Sequence, residues 1–204
     1  MKYEAPLTVK LVCPTTLNFT VIDVETANFD RASICQIGLV RYEAGQCVQE
    51  WETLVDPRDY FDGRNIEVHG IRAADVKGAP TFAEIADPLR GFMDGFTVVS
   101  HTAFDKTAIH GASQKHGVAS PTCRWLDSAC VARRAWSRDE VGGYGLHDLC
   151  GLLGYEFRHH DALEDAKAAA HIFMAAVERA GLDVEGWLER VRRPVGKKSL
   201  VASR

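Results

Sequence analysis

Phe19-Thr20-Val21-Ile22-Asp23-Val24-Glu25-Thr26 begins as an apolar, β-branched run and closes on two acids two positions apart. Such side chains fit a pleated, half-buried surface, so Asn18 to Val24 reads as a buried strand. Alternation of faces puts Asp23 and Glu25 on one side of it and Ile22 and Val24 on the other. Two carboxylates that close repel each other unless a cation lies between them. The bland alternative is that one or both point to solvent.

Ser33 to Tyr42 and Cys47 to Val55 read as two further strands, joined by a turn at Ala44-Gly45-Gln46. The three form an antiparallel meander. A long connection follows, punctuated by Asp56-Pro57, Asp62-Gly63 and His69-Gly70. Thr81 to Met93 reads as a helix that Pro88 should kink or divide. Phe96 to Ser100 is a strand, Thr102 to His116 a helix and Arg124 to Asp127 a short strand. Helices are expected over Ser128 to Trp136, Leu146 to Leu153, Asp161 to Ala180 and Asp183 to Val191. Three strands followed by strand–helix units predict an α/β fold, a mixed five-stranded sheet flanked by helices. Residues 1–17 are expected to be a loose leader, 18–181 the functional domain and 182–204 a short helix with a basic tail.

Composition sets the outer limits. With 46% hydrophobic and 25% charged residues, the 204-residue chain matches ordinary globular proteins rather than disordered or fibrous ones. No apolar run is long enough to cross a bilayer, and Met1 to Leu17 does not resemble a signal peptide, so the expectation is a cytoplasmic protein without membrane contact. Six cysteines, at 13, 35, 47, 123, 130 and 150, form no C-x-x-C pair. They are read as free thiols, not as a zinc site or a thioredoxin-like motif. The net charge of −4 does not suggest a broad nucleic-acid footprint. From Glu189 onward, however, six basic residues face one acid. A frayed end is the first reading of this tail and an arm on phosphates the second.

Two further segments carry acids in telling places. Asp105 follows a buried strand, and Thr102-x-x-Asp105 has the spacing of a capping box, which could absorb the carboxylate. In His160-Asp161-Ala162-Leu163-Glu164-Asp165, Asp161 and Glu164 suit the first and last positions of a helix cap. His160 and Asp165 then occupy the two positions that approach each other across the helix start. A base and an acid stand there in place of two apolar residues. His159, the adjacent candidate, is expected to point elsewhere. Four carboxylates and one histidine suit hard cations such as Mg²⁺ or Mn²⁺ better than Zn²⁺.

These residues, in this order, resemble the DnaQ-like (DEDDh) 3′–5′ exonucleases. The likeness runs from Phe19 to about Ala180. It includes Gln36-Ile37-Gly38, His69-Gly70-Ile71, Ala79-Pro80-Thr81-Phe82, Phe104-Asp105, Asp127-Ser128 and His160-x-Ala162-x-x-Asp165. The resemblance implies a ribonuclease H-like fold, an exonuclease domain over 18–181, and two divalent cations, Mg²⁺ or Mn²⁺. It implies that Asp23, Glu25, Asp105 and Asp165 are metal ligands and that His160 is the general base. Asp23 would serve both ions, Glu25 and Asp165 one of them, and Asp105 the other, largely through water. Val24, Thr26, His69 and Phe104 would meet the terminal nucleotide. The partner would be a single-stranded 3′ end of DNA or RNA, with a polymerase or a second copy as possible companions. One departure stands out: His101-Thr102-Ala103-Phe104-Asp105 is one residue shorter than the usual H-N-x-x-F-D and has Thr for Asn. That leaves the start of the helix open.

Two other classes compete. A non-catalytic exonuclease-like subunit would not need all five catalytic positions, yet all are filled. A haloacid dehalogenase-type phosphatase would need Asp where Glu25 stands, and no later Gly-Asp-x-x-x-Asp follows. Arg133, Arg134, Trp136 and Arg138 combine basic and aromatic character as single-strand binders do, but a solvated helix face explains them as well. His110, His116, His147 and His171 are read as surface or structural. His69 could equally be a loop histidine satisfied by its neighbours.

Overall fold

The computed structural model describes residues 16–193. The leader expected over 1–17 lies almost wholly outside them, as does the tail beyond residue 193. Strand β1 (Phe19–Thr26) pairs antiparallel with β2 (Ile34–Glu43), which pairs antiparallel with β3 (Gln46–Leu54). On its other side β1 pairs parallel with β4 (Thr97–Ser100), and β4 parallel with β5 (Arg124–Asp127). The five-stranded order β3-β2-β1-β4-β5 is the mixed sheet expected from the sequence.

The connection between β3 and β4 holds a helix that the sequence reading passed over, α1 (Gly63–His69). The dipeptides read as breakers are its own caps. The Asp62 side chain accepts from Arg64 N at the start, and Gly70, at φ 80°, takes the left-handed turn at the end. Helix α2 (Phe82–Met93) is capped by a reciprocal Thr81–Glu84 pair and is assigned as one helix across Pro88 rather than divided there. Its buried Phe82, Ile85 and Ala86 on one side of the proline, and Leu89, Phe92 and Met93 on the other, form one apolar stripe against the sheet.

After β4 come α3 (Phe104–Lys115), β5, α4 (Ser128–Ala135), the single turn α5 (Arg138–Val141) and α6 (Leu146–Leu153). The chain then forms α7 (Ala162–Ala180) and α8 (Val184–Arg192). Two cores result. Ile22, Val24, Val98 and Ile37 face α2 and α3, whereas Phe19, Val21 and Val99 face α4, α6, α7 and α8. The alternation predicted for β1 is therefore realised. Helix α8 belongs to the second core, because its Trp187 is fully buried there. Five cysteines among the described residues are free thiols. Among the same residues, no helix is long and apolar enough to cross a membrane.

Alanines at 166, 168, 169, 170 and 176 let α7 lie close to the sheet. The tightest approach is at Gly38 on β2. A Cβ there would sit 2.3 Å from the backbone of Ala162 and Leu163. Gly38 is the register partner of Asp23. Only a residue without a side chain lets the start of α7 come down beside the acid end of β1. Gln36, the partner of Glu25, accepts a hydrogen bond from Ala162 N at 3.3 Å and donates to Glu52 at 2.7 Å, which steadies the same junction.

Candidate active site

Ligand sites in sheets with parallel crossovers gather at the carboxyl ends of the strands. Here β1 and β4 run side by side, and the residues after them face each other. Asp23, Val24 and Glu25 from β1, Phe104 and Asp105 from α3, and His159, His160 and Asp165 around the start of α7 line one cleft of about 350 Å³. Asp23, Glu25 and Asp165 each offer an oxygen, all within 4.8 Å of one another.

The electrostatics record this crowding. Burial pushes Asp23 well above the usual carboxylate range, and the charges of Asp105, Asp165 and Glu25 push it further. Glu25 rises from 4.5 to about 8, first through burial and then through Asp165 and Asp105. Asp105 rises from 3.8 to about 7 through burial, opposed by backbone hydrogen bonds, and Asp165 is raised by burial against the two histidines. Among the described residues no arginine or lysine forms an ion pair with any of the four. A largely buried carboxylate cluster with no lysine or arginine beside it is a fitting donor set for hard divalent cations.

Asp105 does not serve in a capping box. The helix starts at Phe104, and Thr102 stands at φ 83° ahead of it. The Asp105 carboxylate reaches across to β1 and accepts from Val24 N at 3.1 Å. The shortened segment thus makes a strained turn in place of a regular cap. Asp161 does cap α7, accepting from Glu164 N at 3.2 Å, but Glu164 turns away to Lys167.

The structure corrects the placement of His159. Its Nδ1 lies 3.0 Å from both oxygens of Asp165, and its ring stacks on His160 at 3.9 Å between centroids. His160 has φ 67°, and its backbone N donates to Asp165 at 3.1 Å. That left-handed residue folds the chain back so that both imidazoles face the same acid. Simple alternation of side chains, which the sequence argument used, does not hold through such a residue.

A second cleft of about 470 Å³ continues from Glu25 past Thr26, His69 and Phe104. Both nitrogens of His69 are engaged. Nδ1 accepts from Ile71 N at 3.0 Å, so Nε2–H donates to Thr26 O at 3.1 Å. The ring offers the cleft a face, not a free nitrogen. Asn65, Arg64 and Val68 of α1 line the same cleft, and Asn65 donates to Thr26 O at 2.8 Å. None of these three was singled out from sequence, because the signal, a capped turn from Asp62 to Gly70, was read as loop. His101, whose ring contacts Ser128 Oγ at 2.9 Å and Tyr144 O at 3.0 Å, also borders the acid cleft.

Comparison with known proteins agrees with this architecture. The RNase T family profile, described as an exonuclease, matches residues 20–173. The chain is 30% identical over 164 residues to a PolC-type DNA polymerase III of Thermotoga petrophila, covering 78% of this chain and 12% of that protein. It is also 30% identical over 173 residues to a putative bifunctional exonuclease/endonuclease of Mycobacterium tuberculosis, covering 80% and 27% respectively. The chain thus spans only a fraction of the length of these relatives. Among solved structures, exonuclease X in complex with 5′-overhanging duplex DNA superposes with a TM-score of 0.67 at 20% identity, covering 85% of this chain and 99% of that one. The nuclease domain of 3′hExo, a DEDDh member bound to rAMP, gives 0.65 at 16% identity, covering 79% and 92%. The ordered motifs, the ribonuclease H-like sheet and the family match together place this chain in the DnaQ-like 3′–5′ exonuclease family.

Proposed function

We propose that the chain is a metal-dependent 3′–5′ exonuclease that removes nucleotides from the 3′ end of a single strand. The observation that carries this reading is the convergence of four carboxylates from β1, α3 and α7 without a lysine or arginine partner. Asp23, Glu25, Asp105 and Asp165 would hold two divalent cations, Mg²⁺ or Mn²⁺, in the division that the family resemblance implies. Such ions, when bound, supply the positive charge that stabilises the attacking and leaving oxygens of a phosphodiester displacement. His160 accepts the proton of the attacking water. Burial, then the neighbouring His159, lowers the pKa of its imidazole, which keeps it neutral at neutral pH. His159 positions Asp165 through the contact at Nδ1. Val24 and Thr26 present backbone and side chain to the terminal nucleotide, with the rings of Phe104 and His69 beside its sugar and base. The domain carrying this activity is 18–181.

Matched DNA and RNA oligonucleotides labelled at either end, incubated with Mg²⁺ or Mn²⁺, test the proposal. Stepwise release of nucleotides from the 3′ end is the expected result. Release from the 5′ end, or none with either cation, would overturn it. The PolC-type relatives favour a second, narrower reading, in which the same chemistry acts on DNA beside a polymerase. Faster removal of a mispaired than a paired 3′ nucleotide from duplex DNA would support that reading.

A further inference from the structure

Across His101 from the acids lies a cluster that the proposed chemistry does not use. Two guanidiniums lie against one ring: Arg133 is 5.5 Å and Arg138 5.8 Å from the centre of Tyr144. Both arginines are exposed, and among the described residues neither has a carboxylate partner. Their neighbours are committed elsewhere. Arg134 donates to Cys130 O and Val191 O, and Arg179 to Ala135 O and Glu140. Tyr144 itself is fixed at two points, by its hydroxyl donating to Trp136 O at 2.9 Å and by its carbonyl at His101 Nε2. The ring is therefore tethered beside His101 and two residues before Leu146, both of which line the acid cleft, with two cations that lack a carboxylate partner against it.

The terminal nucleotide, on the reading above, occupies the opposite side, where Glu25, Thr26, His69 and Phe104 line the second cleft. A strand whose last phosphodiester lies at the acids must leave on the other side. We infer that the nucleic-acid strand leaves the site past Tyr144, with backbone phosphate upstream of the scissile bond paired with Arg133 and Arg138. The chemistry suits this. Arginine forks pair with phosphate oxygens whatever base the nucleotide carries. The site would therefore add affinity without sequence preference.

This inference rests on the exonuclease reading, and the test separates the two. Binding of a fluorescent ten-nucleotide single strand is measured at several salt concentrations, with Ca²⁺ replacing Mg²⁺ to slow cleavage. Hydrolysis of a nucleoside 5′-p-nitrophenyl phosphate, which has no upstream nucleotide, is measured with Mn²⁺. The double variant R133A/R138A is compared with R90A, which removes a charge from α2 on the opposite face of the sheet. The expected result for the double variant is at least tenfold weaker binding and a salt slope smaller by about 0.7 per lost phosphate contact. Ester hydrolysis should be unchanged, and R90A should alter neither measurement. An unchanged slope in the double variant overturns the strand path, whatever happens to the ester. A reduced slope with no ester or oligonucleotide hydrolysis in the parent protein keeps Arg133 and Arg138 as phosphate contacts and overturns the exonuclease reading.

Discussion

At the scale of single residues, the site is a contest between carboxylates that lack a lysine or arginine partner. Asp23 suffers most, since burial and three neighbouring acids all oppose its ionisation. Asp23→Asn should abolish hydrolysis and leave the fold intact. The metal-free variant should melt at or above the parent's temperature, because one repelling charge is gone. The rise in melting temperature on adding Mn²⁺ should be lost or much reduced, as differential scanning fluorimetry will show. The adjacent histidines invite a paired experiment. Loss of a general base costs about 10²–10⁴-fold in rate, and His160→Ala is expected in that range. His159→Ala should act mainly through Asp165, raising the Mn²⁺ concentration needed for half-maximal rate more than it lowers the maximal rate. Titrating Mn²⁺ at fixed substrate separates the two; identical behaviour would sink the division of roles. The pKa of His160 is lowered, so the rising limb of the pH–rate profile should lie on the acid side of an ordinary histidine.

At the scale of elements, the junction of β2 with α7 decides whether the acids meet. Gly38→Ala would drive a methyl group into the backbone of Ala162 and Leu163. Overpacking of this kind costs about 1–3 kcal/mol, and any relief must move the start of α7, with Asp165, away from Asp23. The expected outcome is a lower melting temperature together with a loss of activity larger than the instability explains, measured well below the melting transition. Gly38 was visible in the sequence only as part of a motif; its reason lies in a contact 124 positions away and needs the fold to be seen. Much else was legible locally. Hydrophobic alternation gave β1 and its two faces, and the alanine-rich run from 162 to 180 gave α7. Residues whose backbone breaks the local rule were not legible. Thr102 and His160 both take positive φ, and at each of them an argument from spacing or alternation failed. The capping-box reading of Asp105 failed because its carboxylate finds a partner on β1, which no local pattern reveals. Helix α1 was missed because its caps look like loop punctuation when no amphipathic face is buried between them, and none of its residues is buried.

At the scale of the whole molecule, the acid cluster couples metal binding to stability. The Glu25 carboxyl has a folded-state pKa of about 8 against an ordinary 4.5, so between those values the unfolded chain has lost a proton that the folded chain keeps. Stability of the metal-free protein is therefore full below about pH 4.5 with respect to this group and declines as pH rises toward 8; Asp23 and Asp105 act in the same direction. Melting temperatures taken in EDTA should fall across this window, and added Mg²⁺ should restore stability most at its upper end. A metal-free protein that grows more stable from pH 5 to 8 would contradict this account. The same cluster draws its members from both ends of the chain. Asp23 sits on the first strand and Asp165 on α7, against which Gly38 packs. A nascent chain stalled before residue 159 holds three of the four acids and neither neighbouring imidazole. The acid cluster is thus completed only when α7 docks on the sheet, after all five strands of the described residues have been made. In the order of the chain, the long alanine-rich helix is the keystone of the site, the last piece to be set.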